Sequence, residues 1–421
     1  MVGTCTKIPS ALGSLQSLSS LALLLIVLSP AVAADFRGDQ FIGFSNFSSF
    51  EKTNADNPGE IVLTSPEISA GIHFDQLIAS WNADMPEDAY LNVEARAIYP
   101  SHATKYYTMG LWSRDPARHP RESVPHQKDD DGDVSTDTLI LKQPCDHFQV
   151  RITLGGNAEQ NPKTAQPVVR RASPRAVEDP QTDHLSTAHE DARSTDFPNT
   201  QVSLPSLRFL GISLADTKAE LTNLPPNQAA WGKAIPVPER SQMAYPNGAV
   251  LCSPTTVSML MTFWSHALNR PELDHDVPEI VKEIYDSKWR GAGNWPFNMA
   301  YAGSFPGMRA YITRFSDVSE LEDWIAVGLP VGLSVCYDRL RGKGPGPNGH
   351  LVVCVGFSKD GAVIINDPGT SKNVRKTFPR KNLIYAWANS HNAVYLIYPE
   401  DAKLPTDRFG HWDSSRSEPA N

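Results

Sequence analysis

The spacing of apolar residues changes partway along this chain, and the change limits the folds open to it. From about residue 36 to 215 the apolar positions come in short or alternating runs. They are Ile61–Leu63, Gln76–Trp81, Tyr90–Ala97, Tyr106–Trp112, Thr138–Leu141, His147–Leu154 and Leu207–Leu214, with Asn, Asp, Gly and Pro between them. Such runs predict an antiparallel all-β sandwich. The alternation at 90–97 and 147–154 implies one packed face and one wet face. After about residue 235 a helical period takes over. Val257, Leu260, Met261 and Trp264 recur at helical spacing behind Pro254, which suits a first turn, so a helix is expected from Ser253 to about His266. Two more are expected at 277–285 and 319–327, the latter with Glu320 and Glu322 near its positive end. Apolar runs at 330–336, 351–357, 362–365 and 393–398 then read as strands. Helices followed by strands indicate an α+β domain.

Between these regions, residues 156–200 are rich in Pro, Ala, Thr, Asp and Arg and almost free of aromatics. That composition buries too little apolar surface to offset ordering entropy, so a disordered insertion is expected. The resulting division is a signal peptide at 1–34, a β-sandwich domain at 35–215 and a linker at 216–234. A second domain follows at 235–400, then a flexible tail at 401–421.

The first 34 residues carry one charge, Lys7, then the apolar run Leu21–Leu28 and an A-x-A cleavage site at Ala31-Val32-Ala33. The apolar run is far short of the roughly 20 residues that span a bilayer. No later segment is apolar enough to act as a transmembrane anchor, and export to a periplasmic or secreted location is expected. The net charge of −9 argues against a nucleic-acid partner, which needs a basic face. Removal of the leader would leave Cys145, Cys252, Cys336 and Cys354. If Cys252 stays free, Cys336 and Cys354 are the candidate disulfide pair, with buried inert thiols as the alternative.

Cys252 stands directly before the first predicted helix, His350 begins a strand after Gly349, and Asp367 ends a strand in Asn366-Asp367-Pro368. A thiol attacks an acyl carbon as thiolate, and a free Cys has a pKa of about 8.5. A helix N-terminus and a neighbouring imidazolium both lower that value. An Asp on the far ring nitrogen fixes the tautomer of the histidine. The backbone N–H of Cys252 and the side-chain amide of Gln242 are candidate donors to a tetrahedral oxyanion. Taken singly, each residue has an ordinary structural reading: a helix-start Cys, a core His, a turn Asp. Their order is far rarer than the parts.

That order resembles the papain-like cysteine peptidases, and within them the branch resembling bacteriocin-leader (double-glycine) peptidases. The similarity covers about residues 235–400. It runs through Val237–Gln242, Cys252-Ser253-Pro254-Thr255-Thr256, Gly349-His350 and Asn366-Asp367-Pro368. The resemblance implies an α+β papain-like catalytic domain that hydrolyses peptide bonds. It places the nucleophile on Cys252, the base on His350, the orienting acid on Asp367 and the oxyanion-hole amide on Gln242. The commoner Cys-Gly-Pro is here Cys252-Ser253-Pro254. Leader-processing relatives are fused to a membrane transporter, so their double-glycine specificity is not carried over.

Trp289, Trp295 and Phe297, among Gly and Asn, are candidates for a substrate cleft, with a packed loop as the alternative. Asn348 joins them from the Gly-Pro loop 341–348, a candidate flap beside His350. The acidic run Asp129–Asp133 suggests a calcium loop but fails it, because Gln127 and Thr138 occupy the first and last ligand slots. No metal or cofactor is expected. The expected partner is a peptide or protein substrate, with a cell-surface ligand as a candidate for the sandwich. Two alternatives stand beside an exported peptidase. One is a thiol acyltransferase (transamidase) on the same fold, and the other is a cell-surface binding protein with an inactive peptidase-like domain.

Overall fold

Two long bent strands organise the N-terminal half of the computed structural model, which describes residues 35–55, 57, 59–156, 203–346 and 348–413. The expected signal peptide, and the expected insertion beyond Gly156, lie outside the described residues. The strands are β1 (Asp39–Phe44), β2 (Glu51–Asn54), β3 (Ile61–Thr64), β4 (Ile68–Asp84), β5 (Ala89–Ala97), β6 (Tyr107–Ser113), β7 (Gly132–Ser135), β8 (Thr138–Gly156) and β9 (Ser206–Ala215). The first part of β8 pairs with β4 and β7, and its second part pairs with β5 and β3. One set of neighbours is therefore β1-β9-β4-β8-β7 and the other is β6-β5-β8-β3-β2. The sets meet through large rings. Trp81 on β4 lies 6.4 Å from Trp112 on β6, and Phe74 lies 5.8 Å from Phe148.

The runs at 138–141 and 147–154 are one strand, not two. Pro144 and the charged residues between them hide the continuity. The β4–β8 register shifts on both sides of the Phe74–Cys145 pair, as expected where a ladder must pass a proline that has no N–H. Asp129 organises the preceding turn, accepting from the backbone N–H groups of Asp131 and Gly132 and from the Tyr107 hydroxyl.

The C-terminal half holds β10 (Lys233–Ala234), α1 (Cys252–Leu268), α2 (Val277–Ile284), α3 (Trp295–Ala302), β11 (Met308–Arg314), α4 (Val318–Ala326), β12 (Val331–Cys336), α5 (Tyr337–Leu340), β13 (Gly349–Phe357), β14 (Val363–Asn366), β15 (Arg375–Phe378), α6 (Arg380–Trp387) and β16 (Ala393–Pro399). Its antiparallel sheet has the order β11-β16-β12-β13-β14-β15, with β10 on β13. The three helices expected from spacing are α1, α2 and α4. α1 is buried almost all round from Ser253 to Thr262, which marks a central helix, and Asn269 ends it in the left-handed region at φ 53°.

β11 escaped the sequence reading. Arg309 and Arg314 interrupt its apolar run, yet all seven of its residues are buried. α3 escaped it as well, although Asn294 caps it by accepting from the Phe297 N–H. Cys336 and Cys354 are both free and buried. On the β12–β13 ladder Cys336 faces Gly349 while Cys354 faces Val331, so they lie at opposite ends of the pairing, roughly 17 Å apart at strand rise.

The two sheets join along β11. The Asn82 amide donates to the Ala310 carbonyl at 2.7 Å and accepts from the Ala310 N–H at 3.1 Å. The Ser80 hydroxyl accepts from the Ile312 N–H at 3.0 Å. Phe41 of β1 stacks on Tyr311, 4.3 Å between ring centres. The stretch expected as a linker runs against α4, where buried Glu322 accepts from the Asn227 N–H and the Trp231 indole and pairs with Arg380. Residues 401–413, expected to be part of a flexible tail, are instead folded onto the rest. Trp412 is buried, and so is His411, which bridges Glu320 and the Phe36 carbonyl.

Candidate active site

Cys252 is the first residue of α1, where backbone N–H groups have no partner inside the helix. Cys252 as a residue is partly exposed. Burial alone would push it up, but His350 outweighs that effect through a hydrogen bond and a positive charge. With backbone N–H groups of Leu351 and Ser253 also on the sulfur, the thiol is held below its ordinary value.

His350 is the second residue of β13, and Asp367 follows the last residue of β14. The two strands are adjacent and antiparallel, which brings both side chains to one end of the sheet. His350 Nε2 lies 2.8 Å from Asp367 Oδ1, leaving Nδ1 for the Cys252 side. Burial would lower the imidazole, but the hydrogen bonds to Asp367 and Cys252 raise it to about 9. Asp367 is fully buried. Desolvation would raise it, yet His350, the Tyr337 hydroxyl and the Gly369 N–H keep it below the ordinary carboxylate range. The three groups thus favour a thiolate, an imidazolium and a carboxylate in a row.

Gln242 is buried and pinned from two sides. Its backbone N–H donates to the Pro368 carbonyl at 3.0 Å, next to Asp367. Its side-chain Nε2 donates to the Gly248 carbonyl at 2.7 Å, in the short turn that leads into Cys252. That carbonyl fixes which end of the amide carries hydrogens. Gly248 is required here, since a Cβ would meet the Gln242 carbonyl oxygen at 2.2 Å.

The departure at Ser253 has a packing explanation: its buried hydroxyl shares a hydrogen bond of 2.8 Å with the Tyr395 hydroxyl. The cleft candidates fare unevenly. Phe297 is a core residue and not a cleft wall. It has no exposure and packs against Trp81 and Trp112 at 6.2 and 5.3 Å. Trp289 and Trp295 border an open cleft of about 320 Å³ with Asp137, Arg314 and His391, and neither Cys252 nor His350 is among its walls. Asn348 is exposed near His350, with its side-chain amide turned to Asp338 at 3.3 Å.

Tyr337 was not singled out from the sequence. It directly follows the apolar run of β12, where a strand-end aromatic carries no chemical signature. In the structure its hydroxyl donates to Asp367 Oδ2 at 2.9 Å, and its ring lies 4.1 Å from the His350 ring at 36°. Gly369 gives both residues room: a Cβ there would meet the Tyr337 hydroxyl at 2.9 Å and His350 Cε1 at 3.0 Å.

Residues 234–395 match the Peptidase_C39 like family, and residues 60–176 match the Peptidase C39 N-terminal domain. No curated protein matches the chain. The match over residues 234–395 spans the helix start of Cys252 and the strands of His350 and Asp367. The second sheet and its helices thus match a papain-like, C39-like peptidase family, and the strands before them match an N-terminal domain of that peptidase class.

Proposed function

We propose that the chain is an exported cysteine peptidase that cleaves peptide bonds through a thioester on Cys252. The observation that carries this reading is the 2.8 Å bond from buried His350 to buried Asp367, which leaves the other ring nitrogen for the Cys252 side at the start of α1. The thiolate attacks the scissile carbonyl carbon, and the carbonyl oxygen takes the negative charge. The backbone N–H of Cys252 and the Gln242 Nε2–H not used on Gly248 are the donors assigned to that oxyanion. As the C–N bond breaks, imidazolium His350 gives its proton to the leaving amine. Neutral His350 then takes a proton from water, and the hydroxide attacks the thioester. The acid product leaves, and the proton returns the pair to its charged form. Asp367 holds the ring for both transfers.

The N-terminal strands read as a β-sandwich whose task is to position the catalytic half, and the hydrogen bonds that join the Asn82 and Ser80 side chains to the β11 backbone support that reading. Export rests on the leader-like first 34 residues. Among the described residues no helix is long and apolar enough to cross a membrane.

The test incubates the chain from residue 35 onward with a peptide library and follows new termini by mass spectrometry. Cleavage that disappears in Cys252→Ala supports the reading. Incorporation of dansyl-cadaverine in excess of hydrolysis would replace it with acyl transfer. Absence of both, with iodoacetamide labelling Cys252 no faster than a small thiol, would remove the enzyme reading altogether. N-terminal sequencing of the protein recovered from the medium or periplasm checks export, with cleavage expected after Ala33.

A further inference from the structure

We infer that Tyr337 is a positioning residue for the reacting pair, setting how far Cys252 and His350 stay charged. The inference rests on the reading of Cys252 and His350 as that pair.

Asp367 is fully buried and stands behind His350. A fully buried carboxylate needs donors on both oxygens, or it protonates. Oδ1 accepts from His350 Nε2 and, at 2.9 Å, from the Gly369 N–H. Among the described residues Oδ2 has one close donor, the Tyr337 hydroxyl at 2.9 Å, with the Lys376 ammonium more distant at 4.0 Å. Tyr337 therefore supplies the close hydrogen bond that keeps the outer oxygen occupied and the carboxylate plane fixed. That plane sets the direction of the His350 bond.

The ring makes a second, separate contribution. At 4.1 Å it covers one side of the imidazole and limits rotation of His350 about its side-chain bonds. It also shields the hydrogen bond between His350 and Asp367 from water, which strengthens that bond. Tyr337 is itself held. Its N–H donates to the Asn348 carbonyl at 2.9 Å, in the segment that enters the His350 strand, and the Arg341 guanidinium lies 3.9 Å over its ring. Burial and the nearby Asp367 charge push the phenol well above its ordinary value, so it remains a donor throughout the working pH range. Backbone, ring and hydroxyl of one residue thus touch the strand of the histidine, its ring and its carboxylate.

The experiment measures the rate of Cys252 alkylation by iodoacetamide against pH, in the chain from residue 35 onward and in Tyr337→Phe and Tyr337→Leu. Labelling is located on Cys252 by mass spectrometry, and folding is checked by circular dichroism. The parent is expected to show a fast plateau bounded by the depressed thiol pKa and by His350. Tyr337→Phe keeps the ring and removes the donor. Its plateau is expected to narrow at both edges by about one pH unit in total, the size of one lost hydrogen bond to a charged group. Tyr337→Leu is expected to narrow it further, with a lower plateau rate. A folded Tyr337→Phe with the parent profile overturns the hydroxyl's role, and a folded Tyr337→Leu with that profile overturns the whole inference. A parent without any plateau would instead remove the ion-pair reading beneath it. If Tyr337→Leu does not fold, the Phe variant alone decides, because it differs by one oxygen atom.

Discussion

His350 and His411 each face a buried carboxylate, Asp367 at 2.8 Å and Glu320 at 2.7 Å. In both, burial would lower the imidazole and the carboxylate overrides it, to about 9 in each case. The difference lies at the second ring nitrogen. In His411 it is spent on the Phe36 carbonyl at 2.7 Å, so the ring ties the C-terminal segment to the start of the described chain. In His350 it is left for a thiol. A shifted histidine value therefore does not mark a catalytic site. What marks it is a ring nitrogen left for a nucleophile that water can reach.

That contrast breaks most sharply under substitution. His350→Ala or Cys252→Ala is expected to lower kcat/KM by at least about 10⁴-fold, as loss of a member of a nucleophile–base unit does. In Cys252→Ala the melting temperature should stay within a few degrees. His411→Ala should do the opposite. It strips Glu320 Oε1 of its hydrogen-bonding ion partner in a dry site, with an expected stability loss of about 3–5 kcal/mol in denaturant titration. Its kcat/KM per folded molecule should change less than threefold, and a collapse of that rate would void the contrast.

A pH titration separates the two histidines as well. Both histidines have folded values above the unfolded value of about 6.5, so each holds an extra proton in the folded state. Stability from His411 is complete below about pH 6.5 and is lost as pH rises through about 9. Unfolding free energy should fall over that window, and in His411→Gln the slope should flatten. The alkaline limb of kcat/KM, which reports loss of the His350 proton near 9, should stay in place in that variant. The smallest effect concerns the neighbour of the nucleophile. Ser253→Ala deletes a buried hydroxyl contact, with about 1 kcal/mol of stability at stake and kcat/KM changed less than threefold. A larger rate loss would give Ser253 a chemical role.

The sequence made the proposed reacting residues visible because each sits at an element boundary with an apolar run beside it. Cys252 precedes a helical period, and His350 and Asp367 bracket two strand runs. Gln242 was visible only by its order with them. Tyr337 was not visible, because its function comes from contacts to residues far along the chain. Phe297 misled for a related reason: Gly and Asn around it suggested a loop, while Asn294 in fact caps a buried helix. Asn82 and Ser80 carried no signal in the sequence. A polar residue in a strand reads as facing water, but both are buried and bonded to another sheet's backbone.

Those two side chains have a practical consequence. They occupy the outer edge of β11, the terminal strand of the second sheet, where a neighbouring strand would otherwise pair. The family matches end at 176 and resume at 234, which invites a cut between them. A fragment beginning at 234 would carry a bare strand edge and lose the ring of Phe41 from Tyr311. Unpaired edges recruit one another. The C-terminal half expressed alone is expected to recover as aggregate, and co-expression with residues 35–215 to restore a soluble pair.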